Sequence, residues 1–121
     1  MTTFKLANGK EYTLKLGYKQ LKRLEGFYKG RSFQEILGTV LHDPTLDDIE
    51  NLIYATTVDA DFSRSELEDL LDATYDEGTE TIESIMEAFI QATDESLFLQ
   101  NLQKQEEAAK KKQSLKKARA I

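Results

Sequence analysis

Apolar and polar positions alternate over residues 3–16 and then change period. Phe4 and Leu6 alternate with Lys5 and Ala7, and Tyr12, Leu14 and Leu16 alternate with Glu11, Thr13 and Lys15. A period of two gives each strand one apolar and one solvated face. Asn8-Gly9 between the runs predicts a type I′ hairpin turn, which takes positive φ at both central residues. A lone hairpin is marginal in water, so its apolar face must lie on helices or on another chain's sheet. Gly17 ends the second strand.

From residue 18 onward the spacing is helical. Tyr18, Leu21, Leu24, Phe27 and Tyr28 share a stripe opposite Lys19, Lys22 and Arg23, with Gly30 as a left-handed stop. Ser32-Phe-Gln-Glu35 predicts a capping box, followed by buried Ile36, Leu37, Val40 and Leu41. His42-Asp43-Pro44 breaks that helix. Thr45-Leu-Asp-Asp48 opens the next, with Leu46, Ile49, Leu52 and Ile53 on its stripe and Tyr54 beside it. Residues 56–62 read as a loop. Ser63-Arg-Ser-Glu66 is a second capping box, ahead of Leu67, Leu70, Leu71 and Tyr75, and Glu77-Gly78 ends that helix. The last element starts at Thr79 and directs Ile82, Ile85, Met86, Phe89 and Ile90 at the core. After Thr93 the stripe loses phase, and Leu97, Phe98, Leu99 and Leu102 form a second apolar group. Either a new helix begins near Asp94 or one long helix changes the face it buries. Three consecutive apolar residues on a helix cannot all face one core, so at least one points elsewhere, toward another chain or under a turn packed on the body. The expected fold is mainly α with a small N-terminal β-hairpin (α+β): a bundle of about five helices packed on the hairpin. Residues 1–103 form the single domain, and 104–121 a basic tail, helical or disordered, with Glu106–Lys110 and Glu107–Lys111 at helix-supporting spacing.

Composition narrows the chemistry. The chain has 121 residues, one domain's worth, with no Cys and one His. Cysteine-ligated metals, thiol nucleophiles and His-paired metal motifs are therefore excluded. No apolar run is long enough to span a membrane, and no signal peptide is visible, so a cytoplasmic location is expected. The net charge of −6 conceals three blocks: residues 1–42 carry +5, residues 43–103 carry −16 with Arg64 as their one base, and residues 104–121 carry +5. An acidic block of this size keeps a protein soluble, repels nucleic acid and anionic membrane, and can steer basic partners or the basic ends of neighbouring copies.

No motif promises catalysis. Asp59, Asp61 and Ser63 imitate the start of an EF-hand loop, but Arg64 stands where its glycine is needed and Leu70 where its bidentate glutamate is needed. His42 suits a helix C-terminus and has no nucleophile motif beside it. The acidic pairs Asp47/Asp48, Glu68/Asp69 and Asp76/Glu77 fall on polar faces, and no glycine-rich phosphate cradle exists. No catalytic, cofactor-binding or metal-binding residue is expected, and no enzyme. The basic tail has no interleaved aromatic residue for stacking on bases, so nucleic acid is not an expected partner.

The order of elements does point somewhere. Asn8-Gly-Lys-Glu-Tyr12-Thr-Leu-Lys-Leu16, Tyr18-Lys-Gln-Leu-Lys-Arg-Leu-Glu25, Ser32-Phe-Gln-Glu-Ile-Leu37, the helix from Leu46 to Ala55, and Ser65-Glu-Leu-Glu-Asp-Leu-Leu-Asp72 follow one another. This arrangement, over residues 3–100, resembles the tail assembly chaperones of long-tailed bacteriophages and prophages of Gram-positive bacteria. The resemblance implies a non-enzymatic protein of the host cytoplasm, absent from the mature virion. It would bind and keep soluble the long, helical, apolar tape-measure protein and recruit tail-tube subunits during tail assembly. It implies self-association and, in many members, a longer product made by ribosomal frameshifting, for which codons of Lys110-Lys111-Lys112 offer an A-rich candidate. Residues 79–103, with Leu97, Phe98, Leu99 and Leu102 as the contacts, are the expected surface for partner or copy, and the hairpin edge is the other candidate for contact. Two other classes remain open: a small phage or mobile-element nucleic-acid-associated regulator using the tail, and a structural tail-completion adaptor.

Overall fold

The computed structural model describes residues 1–106. Two strands, β1 (Thr2–Lys5) and β2 (Glu11–Leu14), form the hairpin, with Thr2 opposite Leu14 and Phe4 opposite Tyr12. Helices α1 (Tyr18–Glu25), α2 (Phe33–Val40) and α3 (Leu46–Thr56) follow. A two-residue strand β3 (Thr57–Val58) then pairs antiparallel with β2. Helices α4 (Arg64–Glu77) and α5 (Ile82–Glu95) come next, and α6 runs from residue 97 to the last described residue. The result is mainly helical with a small sheet of order β1-β2-β3, the α+β class expected.

The alternation in the hairpin matches its burial. Phe4, Leu6, Tyr12, Leu14 and Leu16 are buried, and the residues between them face water or lie half-buried. Helix α5 packs on this apolar face while α1 packs against α2 and α3. Buried Leu21, Leu24, Ile36, Val40, Ile49, Leu52, Ile53, Leu67, Ile85 and Phe89 fill the space between. Phe4 stacks on Tyr12 at 5.7 Å, and Phe62 meets Tyr12 edge-on at 5.3 Å.

Several expectations need correction. The hairpin loop has three residues: the Gly9 N–H donates to the Leu6 carbonyl at 3.0 Å and the Leu6 N–H to the Lys10 carbonyl at 3.2 Å. Gly9 has φ +80°, whereas Asn8 does not take positive φ, so the turn is type I closed by a left-handed glycine and not type I′. Helix α1 ends at Glu25, short of Gly30, because Phe27 and Tyr28 tighten onto carbonyls three residues back. The box predicted at Ser32 is one-sided. Ser32 accepts from the Glu35 N–H at 3.2 Å, while the Phe33 N–H is taken by Glu25 from the preceding helix at 2.8 Å. The boxes at Thr45 and Ser63 are complete, and a third at Thr81 with Ser84 starts α5 two residues after Thr79.

Residues 56–62 are not all loop. The hydroxyls of Thr56 and Thr57 donate to carbonyls of Leu52 and Ile53, both at 2.6 Å, within the last turn of α3. There the Lys15 N–H bonds the Thr56 carbonyl at 3.0 Å and β3 joins β2. Asp59, at φ +54°, turns the chain away again. Leu46, placed on the buried stripe of α3, is 70% exposed, because the first turn of that helix overhangs the core.

The ambiguity after Thr93 resolves into a break. Ser96 is extended, at φ −70° and ψ 113°, and α6 starts as a separate helix. The buried Ser96 hydroxyl donates to the Leu16 carbonyl at 2.6 Å and accepts the Leu99 N–H at 3.2 Å, so one side chain fastens the sheet and caps α6. Most of the predicted tail, residues 107–121, lies outside the described residues, as do the pairings expected for Lys110 and Lys111; residues 104–106 continue α6.

Candidate docking groove

The joint at Ser96 shapes the main concavity. A groove of about 630 Å³ opens between the chain from Leu14 to Tyr18, Val58 of β3, the end of α5 and the first turn of α6. Leu14, Leu16, Val58, Ala92, Leu97 and Phe98 give it an apolar lining. Lys15 and Glu95 stand at its rim. Glu95 accepts from the Thr2 hydroxyl at 3.1 Å, and the terminal ammonium lies 3.9 Å away.

The predicted contact residues divide along this joint. Leu97 is 73% exposed and borders the groove. Phe98 is half-buried: it forms the groove wall and meets Tyr18 edge-on at 6.0 Å and Phe33 at 5.9 Å. Leu99 turns to the other side of α6, into a shallow hollow of about 340 Å³ shared with Phe33, Leu37 and Leu41. Leu102 is half-buried and borders none of these concavities. The residue of the consecutive trio that had to point away from the core is therefore Leu97.

Pattern reading missed three groove residues. Tyr18 was placed on the buried stripe of α1 but is 61% exposed. It is the first residue of its helix, and its ring reaches past the end of the core; its position one turn ahead of Leu21 was the available signal. Val58 lay in a predicted loop, and Met1 carried no pattern at all.

The other polar constellations are accounted for by folding. Arg64 stacks over Phe27 at 5.1 Å and Tyr54 at 5.3 Å, donates to Glu50 at 3.0 Å, and bonds the Asn51 side-chain carbonyl. The one base of the acidic block is thus a clamp between α3 and α4. Asp61 accepts from Lys10 at 2.5 Å and from the Tyr12 hydroxyl at 2.9 Å. Those two bonds, Lys10 first, hold its carboxyl below the ordinary range, and the same contact holds the Lys10 ammonium above its own. Burial raises the Asp48 carboxyl, but the Tyr28 hydroxyl at 2.5 Å and the Thr45 cap outweigh it, and the net shift is downward. Burial also raises the Tyr75 hydroxyl, which has no hydrogen-bond partner among the described residues. His42 is exposed beside the hollow under Leu99. Among the described residues no group of three or more His, Asp or Glu side chains is placed to hold a metal, and no helix is long and apolar enough to cross a membrane.

No protein-family model matches this chain, and no curated protein or solved structure is significantly similar to it.

Proposed function

We propose that this chain is a tail assembly chaperone. It seats an apolar helical segment of the tape-measure protein in the groove at the α5–α6 joint, keeps that protein soluble in the host cytoplasm, and recruits tail-tube subunits to it. It makes and breaks no covalent bond and leaves the particle before the tail is complete. The observation that carries this reading is the groove itself: an apolar cleft, flanked by Tyr18 and by a Leu97 left 73% exposed where a folded monomer gains nothing from it. An amphipathic helix laid in such a cleft buries its own apolar face and covers that leucine. The acidic exterior supplies solubility, and many weak copies along one long partner add up through avidity.

The test is co-expression with the tape-measure protein of the same genome, read as the soluble fraction of that partner. Leu97→Asp changes an exposed side chain and leaves the packed core alone, so it is a cleaner probe than Phe98→Asp. The soluble fraction falls with Leu97→Asp and stays at the wild-type level with Leu46→Asp, a comparably exposed leucine that does not line the groove. Equal solubility with both variants overturns the proposal.

A further inference from the structure

The groove does not stop at the α5–α6 joint. Tyr18 and Phe98, which meet edge-on at 6.0 Å, also wall a smaller hollow of about 190 Å³ toward Phe33, so the two concavities adjoin at that aromatic pair. Their charged borders are uneven. Lys15 lines the first and Lys22 the second, both exposed, and Lys22 lies one turn beyond Tyr18 with its ammonium 6.0 Å from that ring. Neither lysine enters an ion pair among the described residues. The two acids on the borders are already engaged: Glu25 accepts the Phe33 N–H at 2.8 Å, and Glu95 accepts from the Thr2 hydroxyl at 3.1 Å. The α6 side carries no charge from Leu97 to Gln103, and the first turn of α1 holds no acid.

An apolar cleft whose unpaired charge is positive on the α1 side fits an apolar helix with acids along that border. We propose that the groove selects amphipathic helices whose apolar stripe is bordered by Asp or Glu, with Lys15 and Lys22 receiving those carboxylates and Tyr18, Leu97 and Phe98 receiving the stripe. This selectivity rests on the groove being the seat of the partner helix, and it adds which helical segments of a long partner are taken. The chain's own residues 107–121 do not suit the groove, because they carry six bases and one acid and would set like charge against Lys15 and Lys22. The preference runs against the net charge of −6, which by itself would draw a basic helix. Distance decides between the two effects. At about 0.1 M salt, charges farther apart than about 10 Å are largely screened, so contacts at the border outweigh the acids elsewhere.

The experiment uses the full-length protein and two dye-labelled synthetic helices that share one leucine stripe, bordered by Glu in one and by Lys in the other, with binding read by fluorescence anisotropy. At about 0.1 M salt the Glu-bordered helix binds about fivefold tighter, the size of two exposed ion pairs, and the gap closes at about 1 M. Lys15→Glu with Lys22→Glu reverses the order. Lys19→Glu with Arg23→Glu makes the same change in net charge at α1 positions that do not line the groove, and leaves the order as it was. Leu97→Asp weakens the binding of both helices. Equal affinities, tighter binding of the Lys-bordered helix, an order that Lys15→Glu with Lys22→Glu does not change, or a reversal that Lys19→Glu with Arg23→Glu also produces overturns the selectivity and leaves the groove as a seat. Binding that Leu97→Asp leaves intact, or no binding of either helix, overturns the selectivity together with the seat. A bound fraction that falls as the protein concentration rises puts a second copy in the groove and overturns the proposal as well.

Discussion

Ser96→Ala should loosen the joint that shapes the groove. The Ser96 hydroxyl makes two bonds in a site only 8% exposed: it donates to the Leu16 carbonyl at 2.6 Å and accepts the Leu99 N–H at 3.2 Å. Removing it deletes a helix cap, which costs about 1 kcal/mol. It also strands a carbonyl at the end of the sheet, for about 1–2 kcal/mol more. The expected loss is about 2–3 kcal/mol, a large fraction of the stability of a small domain. With no Trp in the chain, the assay is urea unfolding followed by far-ultraviolet circular dichroism, fitted for midpoint and slope. Ser96→Thr keeps the hydroxyl and should stay within about 1 kcal/mol of the wild type, the range of ordinary single substitutions. A Ser96→Ala loss below about 0.5 kcal/mol with unchanged slope refutes the reasoning, because the joint would then hold by apolar contact alone.

Other outcomes follow from single contacts. Gly78 ends α4 at φ +73° with open space around it, so Gly78→Ala costs only backbone strain, about 1 kcal/mol in thermal or urea unfolding. Arg64→Lys keeps the charge beside Glu50 but loses the planar stack on Phe27 and Tyr54, for about 1 kcal/mol by the same measurement. The Asp61 carboxyl is held low by Lys10 and Tyr12, so its contribution is present above the unfolded aspartate value and is lost as pH falls through the lowered one. Asp61→Asn should therefore flatten the acid limb of a plot of stability against pH and leave less to lose there.

Hairpin and helix stripes were legible because they rest on period and caps, and both are local. The alternation from Phe4 to Leu16 needed no tertiary knowledge, and neither did the helix start at Thr45 or the box at Ser63. What escaped depended on the rest of the molecule. Thr57 and Val58 became a strand only because β2 had an open edge beside the end of α3. Asn8-Gly9 signalled a turn correctly but not its length, since Leu6 and Lys10 also pair across it. At the candidate site, Leu97 and Phe98 were found by a loss of phase. Tyr18 was missed because a stripe says which side of a helix is apolar and not how far along the helix the core extends.

That last distinction explains where the surplus apolar surface lies. A core consumes only the apolar positions it can reach, and periodicity marks more of them than that. On α5 the expected stripe was five residues wide, and folding took Ile85 and Phe89 fully, Met86 in part, and left Ile82 and Ile90 in water. Across the joint it took part of Phe98 and left Leu97 and Tyr18. The leftovers fall on two surfaces with different polar surroundings. One is a cleft rimmed by Lys15 and Glu95; the other is a ridge flanked by Glu83 and Glu87. A substitution on the ridge should leave the groove's partner bound, because Leu97 lies beyond the Ser96 break and the ridge lies before it. If Ile90→Asp abolished tape-measure solubility as Leu97→Asp is expected to, the two surfaces would act as one, and the separation drawn from the Ser96 break would be wrong.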